Sequence, residues 1–279
     1  PIRMTTAAER EDILKAAEQK GLDMIAFTDH NTIAGYKQMN EEIDQLEFLK
    51  KLNRILPDEL KRLSEYQRLL GKIKMLPAFE FTATFGFHIL CYFPEDKDTR
   101  EIEHLLMDLG ITPDKIDKGA VNVGATTDVI TLYRKVREAG GMAIAAHANS
   151  NNGIAMRGVP FGGQTKIAYT QDPNLFALEV TDLESRNRRS TAHFFSGTKP
   201  EYPRRMHCIQ GSDAHRLITD NSRKKSLGVG DRVTEIRTSD LSFAGLQAIL
   251  LSNDFARTRP RRHRSNKQEF DFLTAARAE

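Results

Sequence analysis

Four short segments each end an apolar run with a histidine or a carboxylate: FTDHN at 27–31, AFEFT at 78–82, IAAHAN at 144–149 and IQGSDAH at 209–215. Such runs read as buried strands, and side chains at strand carboxyl ends gather where barrel enzymes keep their sites. His30, His88, His147 and His215 offer imidazole nitrogens, and Glu80 and Asp213 offer carboxylate oxygens. This set suits zinc, manganese or iron without a thiolate, and the chemistry it supports is metal-assisted hydrolysis. In Asp213-Ala214-His215 a continuing strand sends both side chains to one face. A lone histidine on an apolar strand is more often a hydrogen-bonded core residue than a ligand; four segments of the same architecture outweigh that reading. Glu80, between Phe79 and Phe81, would cost several kcal/mol to bury unless a cation or strong hydrogen bonds compensate. His104, His193, His207 and His263 lack this context and are expected to be structural or surface residues, His207 being the closest rival because it shares a strand with Asp213.

The elements that must position these residues follow from periodicity. Thr6 to Lys20 has helical spacing with Ala7, Ile13, Leu14 and Ala17 on one side, and Gly21 stops it before a strand at 23–28. Residues 41–71 form a helical insertion interrupted at Pro57, which predicts a helical hairpin. Strands are expected near 73–81, 87–93, 142–147, 176–181 and 206–211, with a helix near 126–139. This alternation predicts an α/β fold with a mostly parallel sheet closed into a barrel. Residues 149–174, rich in glycine, asparagine and glutamine, read as a long ordered loop over the site.

The 279 residues, 39% hydrophobic, are enough for one catalytic domain with a full core. The net charge is only +3, but basic residues cluster at Arg186, Arg188 and Arg189, at Arg204 and Arg205, at Arg223, Lys224 and Lys225, and over Arg257 to Arg264. Such clusters suit a nucleic acid partner, and each alone is as well explained as solvated surface. Cys91 and Cys208 are too isolated for a disulfide framework and read as buried thiols. No apolar run is long enough to span a membrane and the first residues do not read as a signal peptide, so no membrane association and a cytoplasmic location are expected.

The longer wording, PAFEFTATFGFHIL, GATTDV, AAHANSNNGIAMRG, AYTQDPNLFALEVTDLESR and RRMHCIQGSDAH, resembles the polymerase and histidinol phosphatase (PHP) superfamily. It is most similar to the PHP domain joined to an SMC-like or AAA-type ATPase in bacterial proteins, and the similarity runs from about residue 8 to 262. The resemblance implies a distorted (β/α)7 TIM-like barrel over 1–256, with 257–279 a basic junction towards an ATPase module. It implies two or three divalent metal ions (Mn, Zn or Fe) and hydrolysis of phosphoesters by a hydroxide held between metals. Carried over, it makes Glu80 a bridging ligand, places His88 and His147 on one metal and Asp213 on the other, and gives His30 and His215 a third. Asp29 would orient His30 or a water, and Arg157 and Arg216 are candidate phosphate clamps. PHP domains usually open with a His-x-His strand, which this sequence does not contain, and the expectation is that such a strand would complete the site. The sequence also lacks the G-x-x-x-x-G-K-[ST] loop of an ATPase. Three readings stay open: a nuclease on DNA or RNA coupled to an ATPase, in phage defence or nucleic acid processing; a small-molecule phosphomonoesterase; and a degenerate nucleic-acid or partner-binding module. Oligomeric state is left open.

Overall fold

Side-chain caps and glycine stops delimit several of the helices. The computed structural model describes residues 7–116, 119, 127–155, 163–185, 187–220, 222 and 227–261. In chain order these form α1 (Ala7–Gln19), β1 (Met24–Ala26), α2 (Ala34–Lys51), α3 (Pro57–Leu70), β2 (Lys74–Leu76), β3 (Ala78–Thr82), β4 (His88–Tyr92), α4 (Thr99–Asp108), α5 (Pro113–Ile116), α6 (Val129–Glu138), β5 (Met142–Ala145), α7 (Gly163–Gln171), β6 (Leu175–Glu179), α8 (Thr191–Phe194), β7 (His207–Ile209), β8 (Thr234–Ile236), α9 (Phe243–Leu251) and β9 (Thr258–Pro260). Asp98 caps α4 by accepting from the Arg100 N–H, and Asp128 caps α6 by accepting from Ile130 and Thr131. Pro57 opens α3, where its missing N–H costs nothing, and the Glu59 carboxylate accepts the Leu56 N–H at 2.9 Å. The expected hairpin at 41–71 is therefore present, with α2 beginning earlier at Ala34.

The main sheet has strand order β3-β4-β5-β6-β7. The β5–β6 and β6–β7 ladders are parallel, whereas β4 is antiparallel to both β3 and β5. The expectation of a mostly parallel sheet is corrected to a mixed one. Residues 83–87 are too few to carry the chain back to the start of the sheet, so β4 must return alongside β3. Parallel β1–β2 and antiparallel β8–β9 form two further ladders. Among the described residues no ladder joins the three sheets into a closed barrel; the architecture shown is mixed α/β.

Two apolar layers hold the sheet. Phe79, Phe81, Ile89 and Cys91 face a core completed by α1, α4 and α6, including Leu14, Leu106 and Leu132. Leu76, Met142, Ile144, Phe176 and Leu250 form a second cluster with α9. The expected loop over 149–174 is corrected in part by α7, whose Tyr169 is buried beside Phe87; the neighbouring glycines Gly162 and Gly163 mask its periodicity in the sequence. Residues 257–261, the start of the expected basic tail, belong to the fold: β9 pairs with β8, and Arg261 donates to the carbonyls of Lys20 and Gly21 at 2.9 and 3.2 Å. Arg157, Arg186, the Arg223 cluster, and Arg262, His263 and Arg264 lie outside the described residues.

Candidate metal centre

Reversal of β4 brings the start of one strand against the ends of the others. Glu80 lies on β3, and His88 opens β4 opposite Thr82, so both point to the same face. A single parallel bridge between His30 and Glu80 adds the segment after β1, with Asn31 N–H donating to the Glu80 carbonyl at 2.8 Å and Glu80 N–H to that of Asp29 at 3.0 Å. Asn31 fixes this junction further: its side chain accepts from Thr82 N–H at 2.9 Å and donates to Thr82 Oγ1 at 3.3 Å.

His30, Glu80 and His88 are buried, and one ligand atom from each lies within 4.8 Å of the others. His88 Nδ1 is 2.8 Å from Glu80 Oε1, His147 Nε2 is 3.4 Å from the same oxygen, and His30 Nδ1 is 3.8 Å from Oε2. Close as these are, Glu80 Oε1, His30 Nδ1 and His88 Nε2 have no hydrogen-bond partner: the short separation at Oε1 lacks hydrogen-bond angles. Three buried donor atoms without partners, on residues whose ligating atoms gather this closely, are what a divalent cation would satisfy. Protonation states agree. Burial pushes the Glu80 carboxyl up, but His147 and His88 outweigh it and hold it well below the usual carboxylate range. Burial pushes His30 down to about 4 and so keeps it neutral. At neutral pH these two groups are in the forms that ligate.

His147 follows β5 in a left-handed conformation (φ 28°), as does Asp213 after β7 (φ 46°). Such backbone costs about 1–3 kcal/mol per residue and persists where surroundings enforce it. Glu179 braces both segments. Its Oε2 accepts the His147 N–H at 2.8 Å, and its Oε1 accepts the Gly211 N–H at 3.3 Å. Arg232 stands 3.6 Å from Oε1 and donates to the Gly211 carbonyl at 2.6 Å. Ser150 Oγ lies 2.7 Å from His147 Nδ1, which aims Nε2 at Glu80. His147 is raised on balance: burial lowers it, but the neighbouring Glu80 carboxylate prevails. The sequence reading missed Glu179, although LFALEV is another apolar run capped by a carboxylate.

Asp213 and His215 stay on the rim, 3.5 Å apart, with side chains 38% and 48% exposed. Asp213, Asp29, Glu80, His147 and Glu179 line one cavity of about 730 Å³ whose body is apolar, walled by Leu90, Tyr92, Ile144 and Ile209. Asp29 is pushed up to about 6 by burial. Arg216 pairs with Asp220 at 3.0 Å. His207 sits apart, its Nε2 2.8 Å from the Ser252 carbonyl and its ring stacked on Phe255 at 4.3 Å.

No protein-family model matches the sequence, and no curated protein matches it. Among solved structures, the lesion-specific endonuclease EndoQ from Pyrococcus furiosus is similar, with a TM-score of 0.55 and 12% identity over 93% of this chain and 55% of that one. The chain thus spans about half the length of that endonuclease, and the likeness is one of fold. A Bifidobacterium adolescentis protein, named provisionally as a metal-dependent phosphoesterase, matches at a TM-score of 0.40 and 18% identity over 80% of this chain and 87% of that one. Among the described residues no helix is long and apolar enough to cross a membrane.

Proposed function

We propose that the chain is a metal-dependent phosphoester hydrolase whose substrates are nucleic acid phosphodiesters. The observation that carries this is the trio of partnerless buried atoms on His30, Glu80 and His88, with Glu80 lining a cavity of about 730 Å³. Those three residues and His147 would hold cations, with Asp213 and His215 contributing from the rim. Bound divalent cations supply Lewis acidity towards phosphate oxygens and a nucleophilic water at neutral pH. The protein's own part is positional. Glu80 stays ionised among imidazoles, Ser150 orients His147, and Glu179 holds the backbone of both the His147 and Gly211 segments. With its pKa near 6, the Asp29 carboxyl can accept or return a proton close to neutrality, and Leu90, Tyr92 and Ile144 keep the floor of the cavity apolar.

The polymer reading draws support from the fold shared with an endonuclease. The bounded cavity favours one alternative, a small phosphomonoester. Residues from all three sheets line that cavity, which supports reading them as the wall of one distorted (β/α)7 barrel. From the sequence resemblance the proposal extends to regulation by an ATPase module in the same or a partner chain, in phage defence or nucleic acid processing. The check on that extension is whether hydrolysis by the natural full-length protein responds to ATP.

The deciding experiment measures metal content and hydrolysis of single-stranded and duplex nucleic acid beside phosphomonoesters, with manganese or zinc added, for the wild type and Glu80→Gln. Glu80→Gln removes charge but little volume, so it should lose metal and activity while retaining its circular dichroism spectrum. Wild-type metal content and rate in the variant would overturn the assignment. Faster turnover of monoesters than of either polymer would select the alternative.

A further inference from the structure

The turn between β3 and β4 carries two costs at one residue. Phe85 is 88% exposed, the most exposed large apolar side chain among the described residues. It also adopts φ 62° and ψ 10°, a left-handed conformation that glycine or asparagine occupies readily and a bulky aromatic does not. Single exposed apolar residues are common on protein surfaces. An exposed aromatic held in strained backbone, between the strands that deliver Glu80 and His88, needs a further reason.

The backbone of the turn is tied down on three sides. Ala83 N–H donates to the Phe87 carbonyl at 2.8 Å, Gly86 N–H to that of Ala83 at 3.0 Å, and Thr84 N–H to that of Thr127 at 3.0 Å. Phe85 meets Phe87 at 6.5 Å between centroids and 62° between planes, and Phe87 in turn meets the buried Tyr169 ring at 5.7 Å and 83°. These contacts brace the outer ring from below and leave most of its surface open. Only three chain steps separate Phe85 from His88, so their Cα atoms lie at most about 11 Å apart, on the order of three base-stacking rises of about 3.4 Å.

We infer that Phe85 is a stacking platform for an unpaired nucleobase lying a few nucleotides from the phosphate presented to the Glu80 cluster, an assignment that rests on the phosphodiesterase reading and specifies its substrate. A flat, exposed ring on a tied-down backbone is what sequence-tolerant binding of single-stranded nucleic acid uses, because every base offers a π-face. A flexible aliphatic side chain would serve a protein contact equally well; it would not serve a base. The substrate is therefore a polynucleotide with at least one unpaired base beside the scissile linkage, and a fully paired duplex binds less tightly.

The test uses a single-stranded phosphorothioate oligonucleotide carrying 2-aminopurine, with affinity read by anisotropy and stacking by quenching of the 2-aminopurine emission. Phe85→Leu keeps an apolar side chain, Phe85→Trp keeps a π-face, and Phe85→Asn relieves the left-handed backbone. Asn and Leu should each weaken binding by about tenfold and abolish quenching, while Trp preserves both. Phe85→Asn should melt no lower than the wild type, which separates lost stacking from lost fold. Hydrolysis of bis(p-nitrophenyl) phosphate, which has no base, should be unchanged in all three. Full affinity in Phe85→Leu overturns the inference and marks the residue as a protein contact, and absence of any Phe85-dependent quenching overturns it as well. Phe85-dependent binding with no hydrolysis of an unmodified single strand or of bis(p-nitrophenyl) phosphate would leave stacking intact and refute the phosphoesterase reading. Hydrolysis of the unmodified single strand at a rate and affinity independent of Phe85 would do the reverse.

Discussion

Glu179 influences the candidate centre through the backbone. It is buried, burial pushes its carboxyl up, and both its oxygens accept N–H groups from segments that carry candidate ligands, His147 on one side and the Gly211–Asp213 run on the other. Glutamine at this place would keep one acceptor and turn an NH₂ group towards a backbone donor. Glu179→Gln should therefore loosen His147 and Asp213 together, lowering metal affinity by about ten- to a hundredfold with a smaller change in melting temperature. Calorimetric titration of manganese or zinc into the metal-free protein provides the measurement. An unchanged affinity would show that the strained residues are held by other contacts.

At the scale of elements, the segment after β5 is a compact turn whose geometry depends on one close approach. Ser150 N–H donates to the His147 carbonyl at 2.7 Å, Ala155 N–H to that of Ala148 at 2.9 Å, and His88 N–H to that of Asn152 at 3.1 Å. A Cβ on Gly153 would stand 2.2 Å from the Ala148 oxygen, so the turn closes only around glycine. Gly153→Ala should displace His147 and destabilise the protein by about 2 kcal/mol, with metal affinity falling further than the fold's own loss accounts for. Chemical denaturation with and without metal separates the two effects. The β3–β4 pair shows the complementary case, in which a short connection reverses a strand and thereby places His88, at a strand start, beside Glu80.

Across the whole molecule, three of the basic residues that read as a nucleic acid contact in the sequence make contacts within the protein. Arg204 donates to the carbonyls of Asp172 and Leu175, Arg259 pairs with Glu235 at 2.6 Å, and Arg261 ties the end of β9 to the end of α1. Arg261→Ala should cost about 1–2 kcal/mol by removing two charge-assisted hydrogen bonds at a partly exposed site. Oligonucleotide affinity and its salt dependence should change little. A large loss of binding with unchanged stability, measured by anisotropy against salt concentration and by urea denaturation, would return Arg261 to the substrate surface.

The sequence alone carried the candidate donor types, the apolar runs that became β3 to β7 and the stop after α1, because burial periodicity and glycine stops such as Gly21 are local signals. The α2–α3 hairpin was legible for the same reason, its break written by Pro57. Tertiary structure alone decided which ends meet. An apolar run reports that a strand is buried but not its direction, so the reversal of β4 could not be read from FHILCYF. Nor does a residue's type state its neighbour: Glu179 resembles Glu80 at the end of an apolar strand, yet one faces imidazoles and the other backbone N–H groups. Those differences arise from pairing between segments far apart in the chain, whose register is set by sheet order and by the connections between strands, not by the residues at the pairing site.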